Sequence, residues 1–190
     1  MKQWLRCWQV HWNGILLPIA ITITMKKGTP AAPTAAVEAA DIEPMKVLVS
    51  ACLLGCNCKY NGGNNLNPQV VELLKDHVPV EVCPELMAGL GVPRTPIEIV
   101  DGEVKDRSGN SVDAALRRSV DMILSQVRRE GIRYAILKSR SPTCGVRQVY
   151  DGTFSGTLTD GAGVLAQALM DAGCEVIDSE ELQRLQQALL

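Results

Sequence analysis

The chain has 190 residues, 46% of them hydrophobic and 21% charged, with a formal net charge of -2. That is enough apolar material for one domain with its own core. It lacks the basic footprint that duplex nucleic acid requires, which argues against that class of partner.

Residues 1–44 differ in kind from the rest. All three tryptophans (Trp4, Trp8, Trp12) fall in the first twelve positions. An apolar run from Gly14 to Met25 follows, then a Pro/Ala/Thr-rich stretch from Gly28 to Pro44. Lys2 and Arg6 ahead of the run give it the look of a weak signal peptide. The run is short of the roughly 20 residues that a membrane span needs, so a membrane role is not expected. The expectation is an N-terminal extension over residues 1–44, disordered, targeting or upstream of the true start, and a single domain over residues 45–190. Met45 is followed at once by the strand pattern KVLVS.

The body alternates strands and helices. Lys46–Ala51 is a short β-branched run, a buried strand. Cys52–Asn65 is rich in turn residues. Asn67 and Pro68 read as a helix start, with Val70, Val71, Leu73 and Leu74 as the apolar face. Pro79–Val82 is a second strand that runs into Cys83-Pro84-Glu85, and Leu86–Thr95 reads as irregular. Asp101-Gly102 between apolar runs marks a hairpin. Ser111–Arg129 has helical spacing of Ala115, Leu116, Val120, Ile123, Leu124 and Val127, with Ser111 as the expected cap. Arg133–Lys138 is a third strand. A second turn-rich excursion surrounds Asp151-Gly152. A helix over Gly161–Ala172 stops at Gly173, Cys174–Ile177 is a fourth strand, and Ser179–Leu189 closes the chain as a helix. Strands alternating with helices predict an α/β fold, a mostly parallel open sheet flanked by helices, with a small β-hairpin excursion.

Seven cysteines are many for such a chain, and an odd number cannot all pair in disulfides. The apolar content gives no need for disulfide staples, so metal binding or catalysis is the better use of the thiols. Cys52, Cys83 and Cys144 each lie at or beyond the end of a predicted strand, with Gly55, Pro84 and Gly145 close by. Loops at strand ends converge in open α/β sheets. Three soft thiolates meeting there would select zinc, copper(I) or an iron–sulfur cluster. Zinc-ribbon and ferredoxin spacings are both absent. Cys56 and Cys58 read as loop thiols, or as a sulfur acceptor or fourth ligand near the site. Cys174 reads as a small buried hydrophobe.

Glu85, two residues after Cys83, is a candidate general acid or base, or else a helix N-terminal charge. Ser141 is a candidate proton relay, or else a turn-forming serine before Pro142. Lys138 and Arg140 flank the Cys144 loop and could hold an anion or a base carbonyl. Asn61, in Asn61-Gly62-Gly63, gives a close backbone approach or only a tight turn.

The stretches VSACLLGCNCKYNGG (Val49–Gly63), VCPELMAGLGVPRTPIEI (Val82–Ile99) and ILKSRSPTCG (Ile136–Gly145) resemble, in order, the motifs of the thiouracil desulfidase family. The resemblance runs from Met45 to about Gln187. It implies a [4Fe-4S] cluster held by Cys52, Cys83 and Cys144, with one iron open to the sulfur of a thiolated base. It implies Glu85 and Ser141 as catalytic helpers; Lys138, Arg140 and Asn61, from the residue reading above, are the expected substrate contacts. The family pattern has Arg and Asp where this chain has Lys59 and Asn61, which keeps a positive charge and loses a carboxylate. The implied reaction is hydrolytic removal of sulfur from a thiolated nucleobase or nucleoside, giving uracil and hydrosulfide. It also implies a cytoplasmic enzyme that depends on iron–sulfur assembly machinery. Two other readings use the same thiols: a closed structural zinc module, and an iron–sulfur or sulfur carrier without catalysis.

Overall fold

The computed structural model of this chain describes residues 43–183. The expected extension over residues 1–44 therefore lies almost wholly outside the described residues, as do positions 184–189 of the expected closing helix.

Strand β1 (Lys46–Ser50) runs into a 3-10 turn, Ala51–Leu54. Helix α1 (Pro68–Leu73), strand β2 (Val78–Val82) and the one-turn helix α2 (Pro84–Met87) follow. Strands β3 (Ile97–Val100) and β4 (Glu103–Asp106) lead into the long helix α3 (Asp113–Glu130) and strand β5 (Tyr134–Leu137). Strands β6 (Gln148–Tyr150) and β7 (Leu158–Asp160), helix α4 (Val164–Asp171) and strand β8 (Glu175–Asp178) complete the order.

Four strands make one parallel sheet in the order β2-β1-β5-β8. The central strands β1 and β5 are covered on both faces and are almost continuously apolar, whereas the edge strand β2 is largely exposed. Val47, Val49, Ile136 and Ile177 face Leu53, Val70 and Leu74 on one side. Leu48, Ala135 and Leu137 face Val120, Ile123, Val127, Leu165 and Leu169 of α3 and α4 on the other. The alternation follows from the two-residue period of a strand. The result is the helix–sheet–helix architecture expected from the alternating pattern.

β1 pairs with β2 on one edge and β5 on the other. The chain therefore leaves β1 in one direction first and returns on the opposite side later. Such a reversal leaves a crevice outside the carboxyl ends of the strands.

Several local signals act as expected. Asn67 caps α1, its Oδ1 accepting from the N–H of Gln69 and Val70 at 3.0 and 3.3 Å. Asp101 and Gly102 both take positive φ, 53° and 79°, in the β3–β4 turn, as a tight two-residue hairpin turn requires. The excursion around Asp151-Gly152 is a second hairpin, β6–β7. The two hairpins pack together: a Cβ on Gly152 would stand 2.5 Å from the Ile99 carbonyl oxygen.

Two expectations are corrected. Ser111 does not cap α3. The cap position is Val112, without a side-chain bond, while Ser111 forms a β-bridge with Lys105. The helix start is instead tied down by Asp113, whose Oδ1 accepts from Val104 N–H at 3.2 Å. The segment after Cys83 is not wholly irregular, because Pro84 pre-sets the first turn of α2.

Ile136 is fully buried on the central strand β5. Ile136→Ala should cost about 2–5 kcal/mol, seen as a lower urea midpoint with an unchanged slope.

Candidate functional site

The crevice at the strand ends is a cavity of about 440 Å³. Cys52, Cys83 and Cys144 all line it, brought there from three different strands. Glu85, Ser141, Lys138 and Arg140 line it as well. Asn61 does not: it is exposed, and its Oδ1 accepts from Gly63 N–H at 3.1 Å, closing its own turn. The expectation that Asn61 faces substrate is thus not supported by its position. Asn65, four residues later, is the asparagine of this loop in the lining, and it hydrogen-bonds the Cys52 thiol.

Each cysteine is fixed through its backbone. Cys52 sits in the 3-10 turn that ends at Gly55 in the left-handed region (φ 95°). Its carbonyl accepts from Gly55 and Asn65 N–H at 3.3 and 2.9 Å. Cys83 stands at the N-cap of α2, its carbonyl accepting from Met87 N–H at 3.0 Å.

Cys144 is held most tightly. The N–H groups of Val164 and Leu165, which the first turn of α4 leaves without helical partners, donate to Pro142 and Thr143 carbonyls at 3.0 and 2.8 Å. Gly163, just before α4, touches the same loop. A Cβ there would lie 2.4 Å from the Thr143 carbonyl carbon and 2.8 Å from Cys144 nitrogen. Ser141 Oγ accepts from the N–H of Thr143 and Cys144 at 3.1 and 3.2 Å. It therefore shapes the Cys144 turn and also lines the cavity, with its own proton left to give.

Glu85 is 8% exposed. Its Oε1 accepts from Thr143 Oγ1 at 2.7 Å and its Oε2 from Cys83 Sγ at 3.4 Å. A buried carboxylate needs such partners to remain folded in place. Here the partners come from the loops that carry Cys83 and Cys144, so one side chain joins the two.

The thiols differ in proton affinity. A hydrogen bond from Cys58 is the largest effect on Cys52 and outweighs its burial, lowering its pKa to about 7. Cys58 is raised, chiefly by its hydrogen bonds with Cys52 and Cys83. Burial pushes Cys144 well up, with the charge of Glu85 acting in the same direction and a hydrogen bond with Ser50 opposing it.

Ser50, Cys58, Asn65 and Thr143 were not singled out from sequence as principal site residues. Two signals were present. Ser50 and Thr143 each lie within two positions of a cysteine already chosen, and Cys58 shares a loop with Cys52. The rest of the lining comes from the hairpins and the Tyr60 turn, including Pro96, Ile97, Glu98, Arg107, Tyr150 and Phe154. Glu98 is buried and its Oε2 accepts from Phe154 N–H at 2.9 Å, joining the two hairpins. Among the described residues, no three His, Cys, Asp or Glu side chains are grouped as the ligands of a metal ion. No described helix is long and apolar enough to cross a membrane.

The family model for 2-thiouracil desulfurase matches residues 47–181. A Bacillus subtilis (strain 168) protein described as the uncharacterized protein YbbK is 36% identical over 146 residues, covering 72% of this chain and 97% of its own length. A solved structure of the [4Fe-4S]-dependent thiouracil desulfidase TudS is similar at TM-score 0.72 and 34% identity. The match covers 76% of this chain and 97% of that one.

Gly163→Ala should push the Cys144 loop out of place. The expected outcome is a loss of about 1–3 kcal/mol in stability, read by urea unfolding, with lower iron uptake on anaerobic reconstitution. Stability and iron uptake equal to wild type would show that the contact is not limiting.

Proposed function

This chain belongs to the 2-thiouracil desulfurase family, and from that premise we propose that it is a [4Fe-4S]-dependent desulfidase. It removes sulfur hydrolytically from a thiolated nucleobase or nucleoside such as thiouracil, giving uracil and hydrosulfide. The observation that carries the reading is the convergence of Cys52, Cys83 and Cys144 on one cavity with a buried carboxylate between two of their loops.

The donor set fits the cofactor. Cys52, Cys83 and Cys144 are free thiols among the described residues, and soft thiolates suit iron–sulfur clusters. A structural zinc takes four tightly grouped ligands around one ion. A cluster takes one thiolate at each iron it binds and so draws its ligands from further apart. The three cysteines would hold the cluster by three of its irons. When bound, the group supplies an electrophilic site for the sulfur of a C=S bond.

The chain's own side chains supply the rest. As a cluster ligand Cys83 would be a thiolate and would not donate to Glu85, which would leave Oε2 to accept a proton from water. Thr143 holds Oε1 and so keeps the carboxylate aimed at the cavity. Water adds to the C=S carbon as Glu85 takes its proton. Sulfur departs as the C–S bond breaks, and no electrons are gained or lost overall. Ser141, with its Oγ accepting two backbone N–H groups, directs its own proton toward the ring. Lys138, whose Nζ donates to the Ser139 carbonyl at 2.9 Å, and Arg140, whose Nη2 pairs with Glu180, line the cavity with N–H groups left over for a carbonyl oxygen of the base. Tyr150, Phe154 and Pro96 offer flat apolar surface to an aromatic ring. A small-molecule substrate, an intracellular setting and supply of the cluster by assembly machinery follow from this reading.

Cys144→Ala should lose the cluster and all turnover of 2-thiouracil, as judged by iron, sulfide and visible absorbance. Retained cluster and activity in that variant would contradict the ligand assignment. Glu85→Gln should keep the cluster and slow uracil release by about 10²–10⁴-fold, the ordinary contribution of a positioned proton acceptor. An unchanged rate would remove Glu85 from the chemistry.

A further inference from the structure

A second buried carboxylate lines the cavity, on its hairpin wall. Glu98 of β3 is 6% exposed. It shares that wall with Pro96, Ile97, Arg107, Tyr150 and Phe154.

One of its two oxygens is committed. Oε2 accepts from Phe154 N–H at 2.9 Å. Phe154 has φ 56°, in the left-handed region that a bulky side chain rarely adopts. Both of its backbone polar groups are held, the N–H by Glu98 and the carbonyl by Arg107 Nη2 at 3.4 Å. The Arg107 guanidinium also lies 5.8 Å from the centre of the Phe154 ring. Contacts on both sides of Phe154 keep its backbone in place, and they fix the carboxylate that makes one of them.

The other oxygen is not committed. Among the described residues, no group donates to Oε1. Two neighbouring cations are engaged elsewhere. Lys105, opposite Glu98 in the β3–β4 register, gives its Nζ to Glu103 at 3.2 Å, and Arg107 serves Phe154. No described side-chain polar atom sealed from solvent lacks a partner. Oε1 therefore opens onto the space that Glu98 lines, which is this cavity.

A clamp between hairpins does not need a carboxylate. A neutral amide oxygen would accept the Phe154 N–H and cost less to bury. A carboxylate has about four acceptor sites, and a single protein donor leaves the rest to whatever fills the cavity. Water can serve there, and an N–H donor from a ligand can replace it.

We propose that Glu98 Oε1 accepts a ring N–H of the thiolated base, so that the protein selects substrates whose ring nitrogen beside the C=S group carries hydrogen. The inference rests on the desulfidase reading and adds a specificity-determining residue to it. Glu98 makes a hydrogen bond only. Proton transfer stays with Glu85, on the loops of Cys83 and Cys144.

The test measures kcat and KM of the reconstituted full-length protein and of E98Q. The substrates are 2-thiouracil and its 1-methyl and 3-methyl derivatives, each of which lacks one ring N–H. Glutamine keeps an oxygen for Phe154 N–H and turns an NH2 donor toward the cavity in place of an acceptor. Wild type should lose about 10–100-fold in kcat/KM on one of the two methylated bases, the ordinary worth of a hydrogen bond to a charged group. E98Q should lose a similar factor on 2-thiouracil itself, through KM, and should no longer distinguish that methylated base from 2-thiouracil. If E98Q does not fold, as judged by circular dichroism, E98D carries the comparison: it keeps the charge, draws it back from the cavity and should narrow the same ratio. A clamp with no substrate contact would leave the wild-type ratio intact in the variants. That result, or a wild type indifferent to both methyl groups, would overturn the Glu98 assignment and leave the desulfidase reading standing. A wild-type protein that holds its iron and releases no uracil from 2-thiouracil would overturn both.

Discussion

The site depends on the parallel register of three strands. β1 is paired along both edges, so the ends of β2, β1 and β5 are fixed relative to one another by backbone hydrogen bonds alone. Cys52 and Cys83 lie at or just beyond two of those ends, and Cys144 follows the third after a short loop. No cysteine needs a flexible side chain or a long loop to reach the others. Register is in turn set by which residues face each layer. A one-residue slip of β1 would turn Leu48 toward the α1 side and Val47 and Val49 toward α3 and α4. Apolar packing of the sheet and placement of the thiols are therefore one constraint.

The loops add a second level of control. α4 begins by giving its unpaired N–H groups to the Cys144 loop, so the helix start and the site share hydrogen bonds. Glu85 joins the Cys83 and Cys144 loops through Cys83 and Thr143. The two hairpins join through Glu98 and the close approach at Gly152, and together they give the cavity its outer wall. A rigid sheet thus carries the thiols while less regular segments shape the space in front of them. This division suits a reaction in which a small planar molecule must enter, lose one atom and leave.

Much of this was legible in the sequence, and the reasons are specific. Lys46–Ser50 and Tyr134–Leu137 are short apolar runs bounded by turn residues, a pattern that specifies strands without tertiary information. The cysteines that follow them were marked by position. Asp101-Gly102 specified its hairpin through the positive φ that the turn demands. What was not legible depends on contacts between distant segments. Asn61 and Asn65 are equivalent as sequence signals, and only the fold shows which one reaches the cavity. Ser111 has the residue type of a cap, but pairing with Lys105 claimed it and left Asp113 to fix the helix start. Thr143 has no signal of its own, because its role comes from Glu85, 58 positions away.

The most direct test of the central claim is anaerobic purification with cluster reconstitution, followed by iron, sulfide and visible absorbance and then a 2-thiouracil assay on the same sample. The account predicts about four irons per chain, with uracil and hydrosulfide released together. Zinc or no metal in the reconstituted protein, with thiouracil unchanged, would contradict it.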